Sequence, residues 1–244
     1  MEKEVIIIGD GPSIRNYDLS TIDSSIDRIY CGKHIFHKNF NSNPNINSHY
    51  IVIEPRLLWP HFMLDKKRND LKSLKSINNK MIDKFRINNN VNFYLHWTNI
   101  PFIYNLRNLT FICNKRIPFT TYLEHITGSF DACISLANHL GYTKIHLLGF
   151  DGFVLKESFN NRWYEKNEKK INPDTSKAVK FIINKYDHIN FNVVAQGKLI
   201  FDYNKLLKSD LKIKFSKNRF HLFDLMNEEY IRILSSSKYL NVDI

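Results

Sequence analysis

Short β-branched or aromatic runs, several of them cut off by glycine or proline, alternate along this chain with stretches whose apolar residues recur every three or four positions. The run Val5-Ile6-Ile7-Ile8 reads as a strand buried on both faces. Further strands are expected at Arg28 to Cys31, His49 to Ile53, Val91 to Leu95, Lys144 to Gly149 and, as the last of the sheet, Ile189 to Val194. Residues 37 to 48, rich in Asn, Ser and Pro, read as a surface loop. Leu64, Leu71, Leu74, Ile77, Met81 and Phe85 predict one or two amphipathic helices over residues 61 to 87, with a solvated basic face. Ala132 to Leu140 predicts a helix stopped by Gly141, its small residues suiting close packing on a sheet. Another helix, capped by Asp174 or Thr175, runs to about Tyr186.

Residues 97 to 119 are aromatic and irregular and take no assignment, and residues 152 to 173 have no period and read as a functional lid. Leu211 to Phe215 alternates in strand fashion with its lysines outward. Strands alternating with helices predict an α/β, Rossmann-like, mostly parallel sheet with helices on both faces. The expected division is a nucleotide-binding α/β domain over 1–195 and a basic C-terminal extension, 196–244, packed on it.

A length of 244 residues, 43% of them hydrophobic, suits one large domain with a sizeable core. The net charge of +11 points to a polyanionic partner: a nucleotide, a nucleic acid, an anionic lipid surface or an acidic glycan. Asn, Lys and Ile are all abundant, a bias that coding composition alone produces, so the charge does not choose among these. No common nucleic-acid-binding motif occurs, and no nucleic-acid partner is expected. Cys31, Cys113 and Cys133 are widely spaced with no C-x-x-C, which suits buried, reduced thiols. No apolar stretch of about 18 residues and no signal-peptide pattern occurs, so a cytoplasmic protein is expected.

Candidate chemistry begins where the first strand ends, at Gly9-Asp10-Gly11-Pro12-Ser13. Glycines there allow a tight turn and close backbone approach, Pro12 fixes φ, and Ser13 can cap a helical turn just beyond it. Open α/β sheets bind phosphates at such turns, although a lone G-x-G is equally well only a turn. Thr127-Gly128-Ser129 leads into a helix, and Gly149-Phe150-Asp151 ends a strand on the edge where ligands sit. His34 and His37 lie close in sequence, but two histidines alone do not make a metal site, and no metal site is expected.

The opening V-I-I-I-G-D-G-P-S resembles the V-I-I-A-G-N-G-P-S start of the small bacterial lipooligosaccharide sialyltransferases. His125-Ile126-Thr127-Gly128-Ser129, the Ala-bearing helix, Leu140-Gly141-Tyr142, the Lys-Ile strand and Gly149-Phe150-Asp151 resemble that family's second block. The helix with Lys177, Ala178 and Phe181 is similar to a third. The second block is shared with hydroxymethylpterin pyrophosphokinase-like proteins and flagellin-modifying motility accessory factors. The resemblance implies a Rossmann-like glycosyltransferase that uses a CMP-activated sugar, inverts configuration and needs no metal or other cofactor. The absence of a D-x-D motif fits that expectation independently.

Several positions depart from the family pattern. Its nucleotide-contacting asparagines fall at Asp10, Gly32 and Glu54, and its catalytic histidine falls near Lys170. Its two phosphate-stabilising lid tyrosines fall at Phe153 and near Phe159, with Tyr164 close, and an arginine falls at His125. The expected nucleotide cradle is Gly9, Asp10, Gly11, Pro12, Ser13, Gly32, Glu54, Thr127, Gly128 and Ser129. Leaving-group stabilisation would come from the lid, with Phe153, Tyr164 and Lys170 at the family positions and Lys156, Arg162 and Lys169 as further cations.

His125 is the first candidate base because it would sit beside the Thr-Gly-Ser turn and titrate near neutral pH. Asp151 is the second, with the competing role of holding that turn by hydrogen bonds, and Glu54 the third, with ribose contact as its alternative. The expected function is sialyltransferase-like transfer from a nucleotide-sugar to a glycan or glycolipid acceptor, in lipopolysaccharide biosynthesis. A homo-oligomer is compatible with it. The basic tail from Lys198 to Arg219 would dock on the anionic inner face of a membrane. The alternatives are a pterin pyrophosphokinase-like enzyme and a degenerate, non-catalytic nucleotide-binding protein.

Overall fold

Strand β1 (Glu4–Ile8) divides its side chains between two cores. Ile6 and Ile8 join one apolar cluster, Val5 and Ile7 the other, and all four are fully buried. That is the behaviour of a central strand covered on both faces. The structure is a computed structural model describing residues 2–54, 58, 71–103, 108–113, 121–123, 128–155, 162–166, 176–196, 198–199, 205–236 and 241–244.

Strands β2 (Asp27–Tyr30), β3 (Ser48–Val52), β4 (Asn92–His96), β5 (Leu109–Cys113) and β6 (Thr121–Tyr122) extend the sheet to one side of β1. Strands β7 (Lys144–Leu148), β8 (Asn190–Val193) and β9 (Leu206–Lys208) extend it to the other. The order is β6-β5-β4-β3-β2-β1-β7-β8-β9, and every neighbouring pair is parallel. All strands therefore end on one edge, and the direction of winding reverses at β1/β7.

One face carries α1 (Leu71–Ile87), which buries Ile77, Met81 and Phe85, together with α6 (Leu222–Leu225) and α7 (Glu228–Ser235). The other carries α3 (Ser129–His139) and α5 (Ser176–Lys185). Ala132 and Ala137 of α3 are fully buried, as close packing on a sheet requires. Two short helices, α2 (Ile100–Ile103) and α4 (Asp151–Val154), are the remaining α-helices among the described residues. The expected helical start over 61 to 70 lies outside the described residues.

Three expectations are corrected. The unassigned stretch after residue 97 contains β5, a full sheet strand. Ile189 to Val194 does not end the sheet, because β9 pairs outside β8. Among the described residues Leu211 to Phe215 joins no ladder of the main sheet; it runs as an extended strap that meets the chain at Tyr17 in a single antiparallel bridge from Phe215. Within it, Asp18 N donates to Lys214 O at 3.0 Å and Ser216 N to Asn16 O at 2.8 Å. Leu211 and Ile213 pack on the core while Lys212 and Lys214 face solvent. The alternation thus reported one buried face, which an extended segment outside the main sheet can also have.

Candidate active site

The turn after β1 is welded to the turn after β7. Gly9 N donates to Leu148 O at 2.8 Å, and Gly11 N to Gly149 O at 2.6 Å. The approach is so close that a Cβ on Gly11 would overlap both Gly149 O and the Asp151 carboxylate. Asp151, 4% exposed, accepts the Ser13 backbone N–H at 2.9 Å. A short 3-10 turn, Pro12–Asn16, starts here with no cap from its own N-cap residue, Gly11. Ser13 is therefore not the cap. Asp151 reaches across from the neighbouring strand end and satisfies one orphan donor of that turn. Burial raises the Asp151 pKa, and the hydrogen bonds from Ser13 work against that rise. Asp151 thus holds the first glycine turn, while Thr127 of the turn expected from sequence lies outside the described residues.

Asp10 ties the β1 turn to the β2 turn. Both its carboxylate oxygens accept Lys33 N at 3.1 Å, and Oδ1 accepts the Trp163 indole N–H at 3.1 Å. Gly32 has φ +67°, and a Cβ there would overlap the Asp10 carboxylate. Tyr50 Oη donates to Gly32 O at 2.5 Å and braces the same turn.

Under this knot lie two buried imidazoles. His34 Nε2 is 2.6 Å from Gly9 O, which can only accept, so Nε2 carries the proton, and Nδ1 has no partner among the described residues. His37 Nδ1 accepts Asn39 N at 3.0 Å, so its proton is on Nε2, which also has no partner among the described residues. Burial lowers both pKa values, that of His37 to about 3. One nitrogen offers a lone pair and the other a proton, which does not suit a shared metal.

Around these turns opens a cleft of about 320 Å³, outside the carboxyl ends of β1, β2, β3 and β7. Asp10, Gly11, Gly32 and Glu54 line one side, and Gly149, Asp151 and Gly152 the other. This is where winding reverses in the sheet, the usual ligand position of open α/β folds. The amino end of α3 enters through Ser129 and Phe130. Gly128, at φ +64°, takes the N-cap position without a side-chain cap bond. The first N–H groups of α3 and the positive end of its dipole thus face the cleft. Phe130 stacks on Phe153 at 4.8 Å and 6° and meets Phe150 edge-on at 5.2 Å, giving an apolar wall. Arg162 is the one cation among the described lining residues.

No family model and no curated protein matches the chain. Solved structures do resemble it at low identity. The sialyltransferase CstII from Campylobacter jejuni, in complex with cytidine-5'-monophosphate, is 15% identical, with TM-score 0.47 over 97% of this chain and 99% of that one. CST-II in complex with a trisaccharide acceptor and CMP is 15% identical, with TM-score 0.45 over 96% and 100%. The monofunctional alpha-2,3-sialyltransferase Cst-I from Campylobacter jejuni is 14% identical, with TM-score 0.43 over 89% and 86%.

Of the residues singled out in the sequence, the structure gathers Asp10, Gly11, Gly32, Glu54, Ser129, Asp151 and Phe153 around the cleft. Gly9, Pro12 and Ser13 build the turn behind it, and Gly128 precedes α3. Phe153 forms wall and has no hydroxyl to offer a phosphate. Tyr164 is 1% exposed, belongs to the core and does not line the cleft. His125, Thr127, Lys156, Phe159, Lys169 and Lys170 lie outside the described residues. Sequence reasoning passed over Phe130, Cys31 and the anchoring role of Trp163. A phenylalanine directly after the Ser129 helix start was the available signal for Phe130.

At the opposite edge of the sheet, Glu4, His146 and Asp210 come close enough to share a cation. Lys144 Nζ already lies 3.0 Å from Glu4 Oε1 and 3.3 Å from Asp210 Oδ2. An ammonium neutralises the carboxylates there, and the group reads as an ion-pair network.

Proposed function

We propose that the cleft binds the nucleotide of an activated sugar and that the protein is a glycosyltransferase. The observation that carries this is the joint opening, at the winding reversal, of a glycine turn, a helix amino end and an arginine into one cleft. The apolar wall of Phe130, Phe150 and Phe153 suits a base or sugar face. The likeness of the first turn and of the Gly149-Phe150-Asp151 block to the lipooligosaccharide sialyltransferases supports a CMP-linked, sialic-acid-like donor. On this reading transfer is inverting and metal-independent, and the acceptor is a surface glycan or glycolipid.

Inversion needs a base for the acceptor hydroxyl. Asp151 is buried and committed to Ser13, whereas Glu54 is exposed at the cleft rim. Glu54 is thus the better base among the described residues, with His125 retained as the other candidate. Lys212, Lys214 and Lys217 are exposed along the strap with Phe215, which supports docking on an anionic membrane from the cytoplasmic side.

The direct test measures release of CMP from CMP-sialic acid, with and without a panel of glycan and glycolipid acceptors, in the presence of EDTA. Release that rises with acceptor and survives chelation is expected. No release by the intact protein would overturn the transferase reading.

A further inference from the structure

Arg162 is delivered to the cleft by a segment tied down on both sides. On one side the next residue, Trp163, is fully buried and donates twice to Asp10: its backbone N–H to the carbonyl at 2.8 Å and its indole N–H to Oδ1 at 3.1 Å. Its ring stacks on His34 at 5.6 Å and meets His37 edge-on at 5.3 Å. On the other side the last described residues of the chain lie along the segment like a short antiparallel strap. Lys166 N donates to Asn241 O at 2.7 Å, Glu165 bridges to Val242, and Asp243 N donates to Tyr164 O at 3.1 Å. The Asp243 carboxylate then pairs with Arg15, which is 5% exposed and lies on the 3-10 turn after the glycines. The strap is thereby anchored to the same turn that forms the cleft.

Arg162 itself keeps about half its side chain exposed at 52%, with Glu165 Oε1 3.6 Å from Nη1. Asp10, Glu54 and Asp151 all bring carboxyl groups to the cleft lining, so an incoming phosphate would meet repulsion there. Among the described lining residues, only Arg162 can offset that with a full charge and a forked donor pair.

We propose that Arg162 contacts the donor phosphate and that Asn241–Asp243 are the positioning element that holds it there. The proposal rests on the nucleotide-sugar reading above. In the transfer, the bond between the anomeric carbon and the phosphate oxygen breaks and its electron pair stays on the phosphate. The acceptor oxygen forms the new bond to that carbon, and its proton passes to a base. Arg162 meets the negative charge gained by the phosphate, which makes it a catalytic residue. Asp243 acts through it.

The test compares full-length wild type with Arg162→Gln, Arg162→Lys, Asp243→Asn, Arg15→Lys and the Arg162→Gln/Asp243→Asn double variant. Arg232→Gln, a surface pair with Glu228 on α7, is the control. CMP affinity is read by calorimetry, and kcat and KM are read with CMP-sialic acid. Arg162→Gln is expected to weaken CMP at least tenfold and lower kcat about a hundredfold, with Arg162→Lys between it and wild type. Asp243→Asn, or Arg15→Lys if the first variant is unstable to urea, should lower kcat about tenfold. That loss should vanish in the Arg162→Gln background, which a merely structural role would not produce. Wild-type CMP affinity and turnover in Arg162→Gln would overturn the inference and leave the nucleotide reading standing. Additive losses in the double variant would overturn the role of the strap. No nucleotide binding by wild type would remove both readings together.

Discussion

The Trp163 indole N–H donates to Asp10 Oδ1 at 3.1 Å, from a ring with no exposure to solvent. A side chain of the expected lid thus forms the floor of the first glycine turn. Replacing Trp163 with Phe keeps most of the packing and removes one buried donor–acceptor pair. A loss of about 1–2 kcal/mol in urea-unfolding free energy is expected, together with weaker nucleotide binding because Arg162 is tethered to the ring. Unchanged stability and affinity would show that the contact carries neither.

Gly32→Ala places a methyl group against the Asp10 carboxylate at a backbone angle of φ +67°. Strain and overlap together are expected to cost roughly 2–3 kcal/mol. The displaced carboxylate would also release Lys33 N and the indole. Denaturant midpoints of Gly32→Ala and Gly141→Ala separate the two contributions, since Gly141 shares the positive φ but has open space at its Cβ. The Gly32 variant should lose more.

Several buried histidines predict an acid-sensitive fold. Burial lowers the pKa of His37 to about 3 and of His49 to about 4. A histidine with a lowered folded-state pKa binds its proton more readily when unfolded. Its contribution is therefore intact above about pH 6.5 and is lost as pH falls towards the folded value. Each such imidazole should remove about 1.4 kcal/mol per pH unit between pH 6.5 and 4. His49 Nε2 lies 3.3 Å from Tyr142 Oη, a contact that an amide can replace. His49→Gln should give a shallower fall of stability with acid, measured by urea unfolding at pH 7, 6 and 5. Parallel curves for variant and wild type would contradict this.

The strap lysines give a salt-dependent prediction. Replacing Lys212, Lys214 and Lys217 with Glu should reduce binding to vesicles containing phosphatidylserine by at least roughly 1 kcal/mol per lysine near the surface. Cosedimentation at low and moderate salt measures it. Equal binding by the variant, or binding of wild type to neutral vesicles alone, would remove membrane docking from the account.

The sheet was legible wherever a strand is buried on both faces, because such strands read as unbroken apolar runs. Val5 to Ile8 is of this kind, and Ile145 to Leu148 is interrupted only by His146. Leu109 to Cys113 was missed because it sits among aromatic residues that bear no period, and Leu206 to Lys208 because three residues are too few to form a pattern. The glycine turns were legible as turns, but their mutual welding was not, since it depends on contacts over more than a hundred positions, Gly11 to Gly149 and Ser13 to Asp151. The misreading of Tyr164 has the same origin. Burial of the Trp163-Tyr164 pair is imposed by Asp10 on one side and Asp243 on the other, and neither is near in sequence.

The central claim is that this cleft holds the nucleotide of a CMP-activated sugar without metal. Calorimetric titration of the full-length protein with CMP, CDP, UDP, GDP and ATP, with magnesium and with EDTA, tests it most directly. The account predicts selective CMP binding of equal affinity in both conditions. Absence of binding, preference for another nucleotide, or binding that requires magnesium would contradict it.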